Sequence, residues 1–232
     1  MPIVIPRREI WTRQPRQDVG IDWSNSLTDG LHAAVIGNAY DAVSGKKLYS
    51  VGATNTATAY GIANTISVVA SNRIELPFEV SGAVSVHTVV SRDASVAPTG
   101  AQYIAALVSN RTAGQATFWE FNAGNAYGAV GDYDKPRFSS NSGGIGTLYL
   151  NGSALSGNNP AATALANGTF YGITAVAASG ANSSGSGKLW LLGQNAAFAI
   201  NGRMPLCCIW DRALRVAEVA AINANPWQIF QP

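Results

Sequence analysis

Charge is what this chain has least of. Only 12% of its 232 residues are Asp, Glu, Lys or Arg, against roughly 25% in an average globular domain. A surface so poor in charge is covered by Ser, Thr, Asn, Gly and Ala, as in a sandwich with many tight turns or a protein enclosed in an assembly. Cysteine and histidine are scarcer still, two of each. Cys207 and Cys208 are adjacent, and neighbours in a strand point to opposite faces, so they are poorly placed to bridge each other. No disulfide framework and no zinc spacing remain. The expectation is small apolar filler for whichever cysteine faces inward, in a chain that folds in a reducing cytoplasm. Neither His32 nor His87 lies near a Gly-x-Ser-x-Gly elbow, which removes the local mark of a serine nucleophile and leaves both as structural or surface residues. The start, Met-Pro-Ile-Val-Ile-Pro-Arg-Arg, lacks the apolar core of a secretory signal, and no apolar run reaches membrane-spanning length. A soluble protein is expected.

The net charge of +2 is concentrated at the start, where Arg7, Arg8, Arg13 and Arg16 face only Glu9 and Asp18. Without a basic stripe across the body there is no bulk electrostatic case for nucleic acid. Pro2, Pro6 and Pro15 hold their neighbours extended, so residues 1–26 read as an arm. Trp11 and Trp23 each carry about 200 Å² of surface to bury, on the body or on a neighbouring subunit. Arginine forks onto carboxylates and stacks on aromatics, and an extended arm adds main-chain pairing to a sheet edge. Arg7, Arg8, Trp11, Arg13 and Arg16 are the expected partner-binding residues, toward other proteins and further copies of the chain.

From Leu27 onward, short apolar stretches alternate with Gly, Ser, Asn and Thr. This predicts strands over 30–36, 65–69, 72–76, 84–91, 103–109, 117–122, 126–130, 146–151, 170–178, 188–193 and 204–212. Asn151-Gly152 is the strongest hairpin signal. One helix is predicted after Asp211, with Leu214, Ala217, Ala221 and Ile222 on one face, ended by Pro226. Gly180 to Gly187 reads as a long hairpin loop, and Trp227, Ile229 and Phe230 as an apolar tail packing on the body.

The order of elements in the second half resembles a known group. Leu148-Tyr149-Leu150-Asn151-Gly152, then Leu189-Trp190-Leu191-Leu192-Gly193, then Ile209-Trp210-Asp211-Arg212-Ala213-Leu214 with Glu218 in the following helix are similar to the concanavalin A-like (laminin G-like) jelly rolls. The resemblance implies an all-β, two-sheet antiparallel sandwich over residues 27–222, with a tail at 223–232. Arg215 stands where relatives place Ser or Thr, so the usual capping box is not expected. The flanks, Arg7 to Pro15, Ile21 to Asn25 and Asn225 to Phe230, look like jelly-roll proteins of tailed phages and prophages. That implies a virion component, a capsid decoration or tail-associated protein made in the bacterial cytoplasm.

Chemistry is thin. Glycosidases of the concanavalin-like type use a Glu-x-Asp-x-x-Glu strand, and Glu9, Glu75, Glu79, Glu120 and Glu218 lack that spacing. Pro77 also separates Glu75 from Glu79, against one regular strand presenting both. No catalytic residues are assigned and no enzyme is expected. Calcium is a possibility that the resemblance brings, with Asp132, Asp134, Asp93 and Asp41 as candidates, but the spacing makes no calcium loop. The alternative to a virion structural role is carbohydrate binding. Trp119, Tyr127 and Tyr133 lie in a polar, Gly-rich region where aromatic faces could stack on sugar rings.

Overall fold

The computed structural model describes residues 19–36, 40–47, 50–51, 66–67, 73–80, 83–92, 102–109, 116–121, 136–138, 146–155, 166, 168–177, 185–191 and 202–231. In chain order the strands are β1 (Gly20–Ile21), β2 (Leu31–Ile36), β3 (Tyr40–Asp41), β4 (Lys46–Lys47), β5 (Ser50–Val51), β6 (Ile66–Ser67), β7 (Arg73–Val80), β8 (Val84–Arg92) and β9 (Gln102–Ser109). They continue as β10 (Ala116–Phe121), β11 (Pro136–Phe138), β12 (Gly146–Leu150), β13 (Ser153–Ala154), β14 (Tyr171–Ala177), β15 (Gly185–Leu191), β16 (Gly202–Trp210) and β17 (Phe230–Gln231). The helix α1 (Val216–Ala224) and two 3-10 turns, Ser26–Thr28 and Pro226–Ile229, complete the described elements.

The chain is an all-β antiparallel sandwich. One sheet has the order β11-β10-β9-β15-β7-β5, and the larger one runs β13-β12-β14-β8-β16-β2-β3-β4 with β6 also on β16. At the centre of the larger sheet, β16 pairs with β8 on one side and β2 on the other. Leu206, Cys208 and Trp210 of β16 join Ala34 and Ile36 of β2 in a core closed by Leu214, Val219, Ile222, Ile229 and Phe230. Cys207 and Ile209 are fully buried too, and strand alternation turns them to the opposite face. Both faces of this sheet are therefore covered. That is why neither cysteine is exposed, and burial pushes both thiols well above their usual range.

Local signals acted as expected at the Asn-Gly turn. Asn151 and Gly152 both have positive φ, 47° and 83°, and Leu150 pairs with Ser153 across a two-residue loop. Other expectations need correction. Gly185, Ser186 and Gly187 are not loop but the start of β15, paired with Val80, Glu79 and Phe78. β7 runs straight through Pro77, so Glu75 and Glu79 do share one strand. Among the described residues β5 reaches only Arg73 and Ile74, and proline is tolerated where a strand's N–H needs no partner. In α1 the buried residues are Glu218, Val219 and Ile222, while Ala217 is exposed; a paired carboxylate turned inward where apolar spacing alone suggested another face.

Of the arm expected over residues 1–26, the described part is 19–26. Val19 and Ile21 are buried, and β1 pairs with β17 through Gly20–Gln231 and Ile21–Phe230. Residues 19–26 thus belong to the body, with Ile229 and Phe230 of the tail packed in the same core. The strand predicted at 126–130 lies outside the described residues. Among the described residues no helix is long and apolar enough to cross a membrane.

Candidate functional site

The β1–β17 ribbon positions a turn that the sequence had assigned to the arm. Asp22 N–H donates to the Ile229 carbonyl at 2.8 Å, and Asp22 Oδ1 accepts from Ser24 N–H at 3.1 Å and Ser24 Oγ at 2.8 Å. Asn25 then caps the first 3-10 turn: its Oδ1 accepts from Leu27 N–H at 3.0 Å, and its Nδ2 donates to the Gln228 carbonyl at 2.9 Å. The short polar side chains here bend the chain by bonding its own backbone. With Leu27 anchored in the core, Trp23 is left 60% exposed.

Beside that indole lies an open recess of about 370 Å³, lined by the turn from Trp23 to Ser26 and by Thr28, Asp29 and Gly30. It falls in the size range of small-ligand sites. Its floor is clamped from the far end of the chain. Trp210 Nε1 donates to the Leu27 carbonyl at 2.7 Å and Arg212 Nε to the Asp29 carbonyl at 2.7 Å. Asp211 N–H donates to the Gly30 carbonyl at 3.0 Å. Gly30 has φ +68°, and a Cβ there would come within 2.6 Å of Asp211 Oδ1, so both the turn and its neighbour require glycine.

Arg212 is held in turn by a fork onto Glu218, Nη1 to Oε2 at 2.9 Å and Nη2 to Oε1 at 3.0 Å. Glu218 Oε2 also accepts from Arg215 N–H at 2.7 Å, and Oε1 from Arg215 Nη2 at 3.0 Å. Arginine offers no acceptor, so only the glutamate half of a capping box forms at α1. Hydrogen bonds from Arg215 and then Arg212 pull the Glu218 carboxyl down to about 2. The Asp-Arg-Ala-Leu segment and its downstream glutamate act here as a clamp on the recess loop.

A second polar cluster lies beneath α1. His87 Nδ1 is 2.9 Å from Thr174 Oγ1, and Asn223 Nδ2 donates to the same hydroxyl at 2.9 Å. His87 is fully buried, its Nε2 has no hydrogen-bond partner, and burial lowers its pKa to about 3. It is a neutral structural histidine.

Arg7, Arg8, Trp11, Arg13, Arg16, Tyr127 and Tyr133 lie outside the described residues. Trp119 is in β10, in register with Phe138 and Ala105. Of the calcium candidates, Asp93, Asp132 and Asp134 are also outside. Asp41 is buried and accepts from Ala34 N–H, Val43 N–H, Ser44 N–H and Ser44 Oγ. Those donors direct positive charge at the carboxylate, which leaves it a turn-former rather than a cation ligand. Trp23 was legible as a residue to be covered; its exposure beside polar groups was not.

No family model and no curated protein matches this chain. Solved structures do resemble it. A Trypanosoma rangeli sialidase in complex with 2,3-difluoro-KDN aligns at 12% identity and TM-score 0.49, over 85% of this chain and 33% of that chain. Domain 4 of AbnA, an extracellular GH43 arabinanase of Geobacillus stearothermophilus, in complex with arabinotriose, aligns at 12% identity and TM-score 0.45, over 83% and 98%. The binding domain of Paraclostridial Mosquitocidal Protein 1 aligns at 12% identity and TM-score 0.42, over 85% and 52%. The chain spans about a third of the sialidases' length. These three likenesses show no phage and no concanavalin A-like family. They also correct one expectation. No enzyme was expected from the residues, yet sialidases are among the solved structures that align with this chain over part of their length, so the exclusion of an enzyme is withdrawn.

Proposed function

We propose that this chain is a glycan-binding β-sandwich module and that the Trp23 recess is its contact surface. The observation that carries the reading is the indole of Trp23, 60% exposed on a turn whose shape is fixed by Asp22 and Asn25. A sugar ring offers an apolar C–H face and a rim of hydroxyls. The indole takes the face, while the exposed Ser26 and Asp29 supply a hydroxyl and a carboxylate to the rim. A ready-made platform of this kind binds with little ordering cost. Trp23→Ala is expected to weaken glycan binding about thirtyfold or more, the scale of a tryptophan hot spot. Its melting temperature should stay close to that of the parent chain, because the ring is outside the core. Sugar-dependent tryptophan quenching and isothermal titration check this; undiminished binding by Trp23→Ala would sink the site.

A second reading places the module on a phage particle, with other virion proteins and further copies of the chain as partners. The likeness of the flanking segments supports it. Quantitative mass spectrometry of purified particles tests it. Copies comparable in number to the major capsid protein indicate decoration, and a few copies indicate the tail. Absence from particles removes the reading.

A further inference from the structure

We infer that the recess discriminates by charge, accepting uncharged saccharides and disfavouring those that carry carboxylate or sulfate groups. This rests on the glycan-binding reading of the same site. Among the described residues that line the recess, Asp29 supplies a carboxylate and none supplies a cation. Asp29 is exposed, and its backbone is fixed because its carbonyl accepts from Arg212 Nε at 2.7 Å. A second carboxylate stands just behind, since Asp211 Oδ1 would be 2.6 Å from a Cβ on Gly30.

The nearby cations do not cancel this field at the recess. Arg212 is committed to both oxygens of Glu218 and to the Asp29 carbonyl. Arg215 feels the charge of Asp29, but its guanidinium is bonded to Glu218 at 3.0 Å. Among the described residues, Asp29, Asp211 and Glu218 face the guanidiniums of Arg212 and Arg215, and Glu218 holds both. An anionic sugar stacked on Trp23 meets the Asp29 carboxylate with no cation among the described lining residues, whereas a neutral sugar uses that carboxylate as a hydroxyl acceptor.

A like charge about 4 Å away in water weakens binding roughly fivefold, and the penalty shrinks as salt shortens the Debye length. The experiment is an array of matched oligosaccharides, each neutral member paired with a uronate, sialylated or sulfated form. The full chain, Trp23→Ala and Asp29→Asn are probed at low and high salt. The inference expects the full chain to prefer neutral members about fivefold, the gap closing in Asp29→Asn and at high salt. Equal or better binding of the anionic members by the full chain overturns the charge selection and leaves the Trp23 site standing. An unchanged gap in Asp29→Asn overturns the role of Asp29. Binding that Trp23→Ala retains, or no binding to any member, overturns the site itself and the inference with it.

Discussion

Trp210→Ala is expected to destabilise the protein by about 4 kcal/mol, the range for removing a fully buried tryptophan. Trp210 has no exposed surface and sits in the core formed by β16, α1 and the C-terminal tail. The substitution removes the ring's packing and leaves a cavity among Leu27, Leu214 and their neighbours. It also orphans the Leu27 carbonyl, which accepts from Trp210 Nε1 at 2.7 Å in a buried setting. Trp210→Phe separates the two effects. It keeps much of the volume and loses the hydrogen bond, at about 1–2 kcal/mol. Because Leu27 lies between Trp23 and Asp29, Trp210→Phe should also weaken saccharide binding while the protein remains folded. Denaturant titration and a binding isotherm check both; a Trp210→Phe protein equal to the parent in both would refute the clamp.

Acid is expected to destabilise the protein well before its ordinary carboxylates titrate. His87 has a folded pKa of about 3 against an ordinary value of 6.5. The unfolded chain therefore takes up a proton as pH falls below 6.5, while the folded chain does not. The stability that neutral His87 represents is complete above pH 6.5 and declines by about 1.4 kcal/mol per pH unit toward pH 3. Glu218 has the same sign over a lower window. Its folded carboxyl is held at about 2 against 4.5, so its contribution is complete above 4.5 and lost as pH falls toward 2. Denaturant midpoints measured from pH 7 to pH 4 read the histidine first. In His87→Gln the slope between pH 6.5 and 5 should flatten, whatever the absolute cost of the substitution. A parent chain with no slope in that interval would show that His87 charges inside the fold.

The two clusters share a feature: both link α1, or the segment leading into it, to parts of the chain distant in sequence. Ser85 Oγ donates to the Arg212 carbonyl at 2.8 Å and accepts from Leu214 N–H at 2.8 Å. Asn223 reaches back to Thr174 on β14. Next to it, Gly172 has no room for a side chain, since a Cβ would collide with Asn223 Oδ1 and crowd His87. The helix is thus fitted to the sheet by hydrogen bonds as well as by Val219 and Ile222.

The sequence by itself determined the local plan. Short apolar stretches set between Gly, Ser, Asn and Thr marked β8, β9, β14 and β16. Asn151-Gly152 marked a tight turn, since few residues accept positive φ in succession. Pro226 marked the end of α1. These are constraints between near neighbours, readable without knowing what lies across the fold. Tertiary structure alone decided the rest. Pairing of β1 with β17 brought residues 20 and 21 against 230 and 231, turning the supposed end of an arm into the wall of a recess. Coverage of both faces of the larger sheet buried Cys207 and Cys208 together, where alternation alone put only one inside. Arg212 and Glu218 were legible as parts of a motif, but only folding closed them into a fork behind Asp29. Each of these outcomes depends on which distant surfaces exclude water from which groups, and that is set when the sheets and helix pack, not by spacing along the chain.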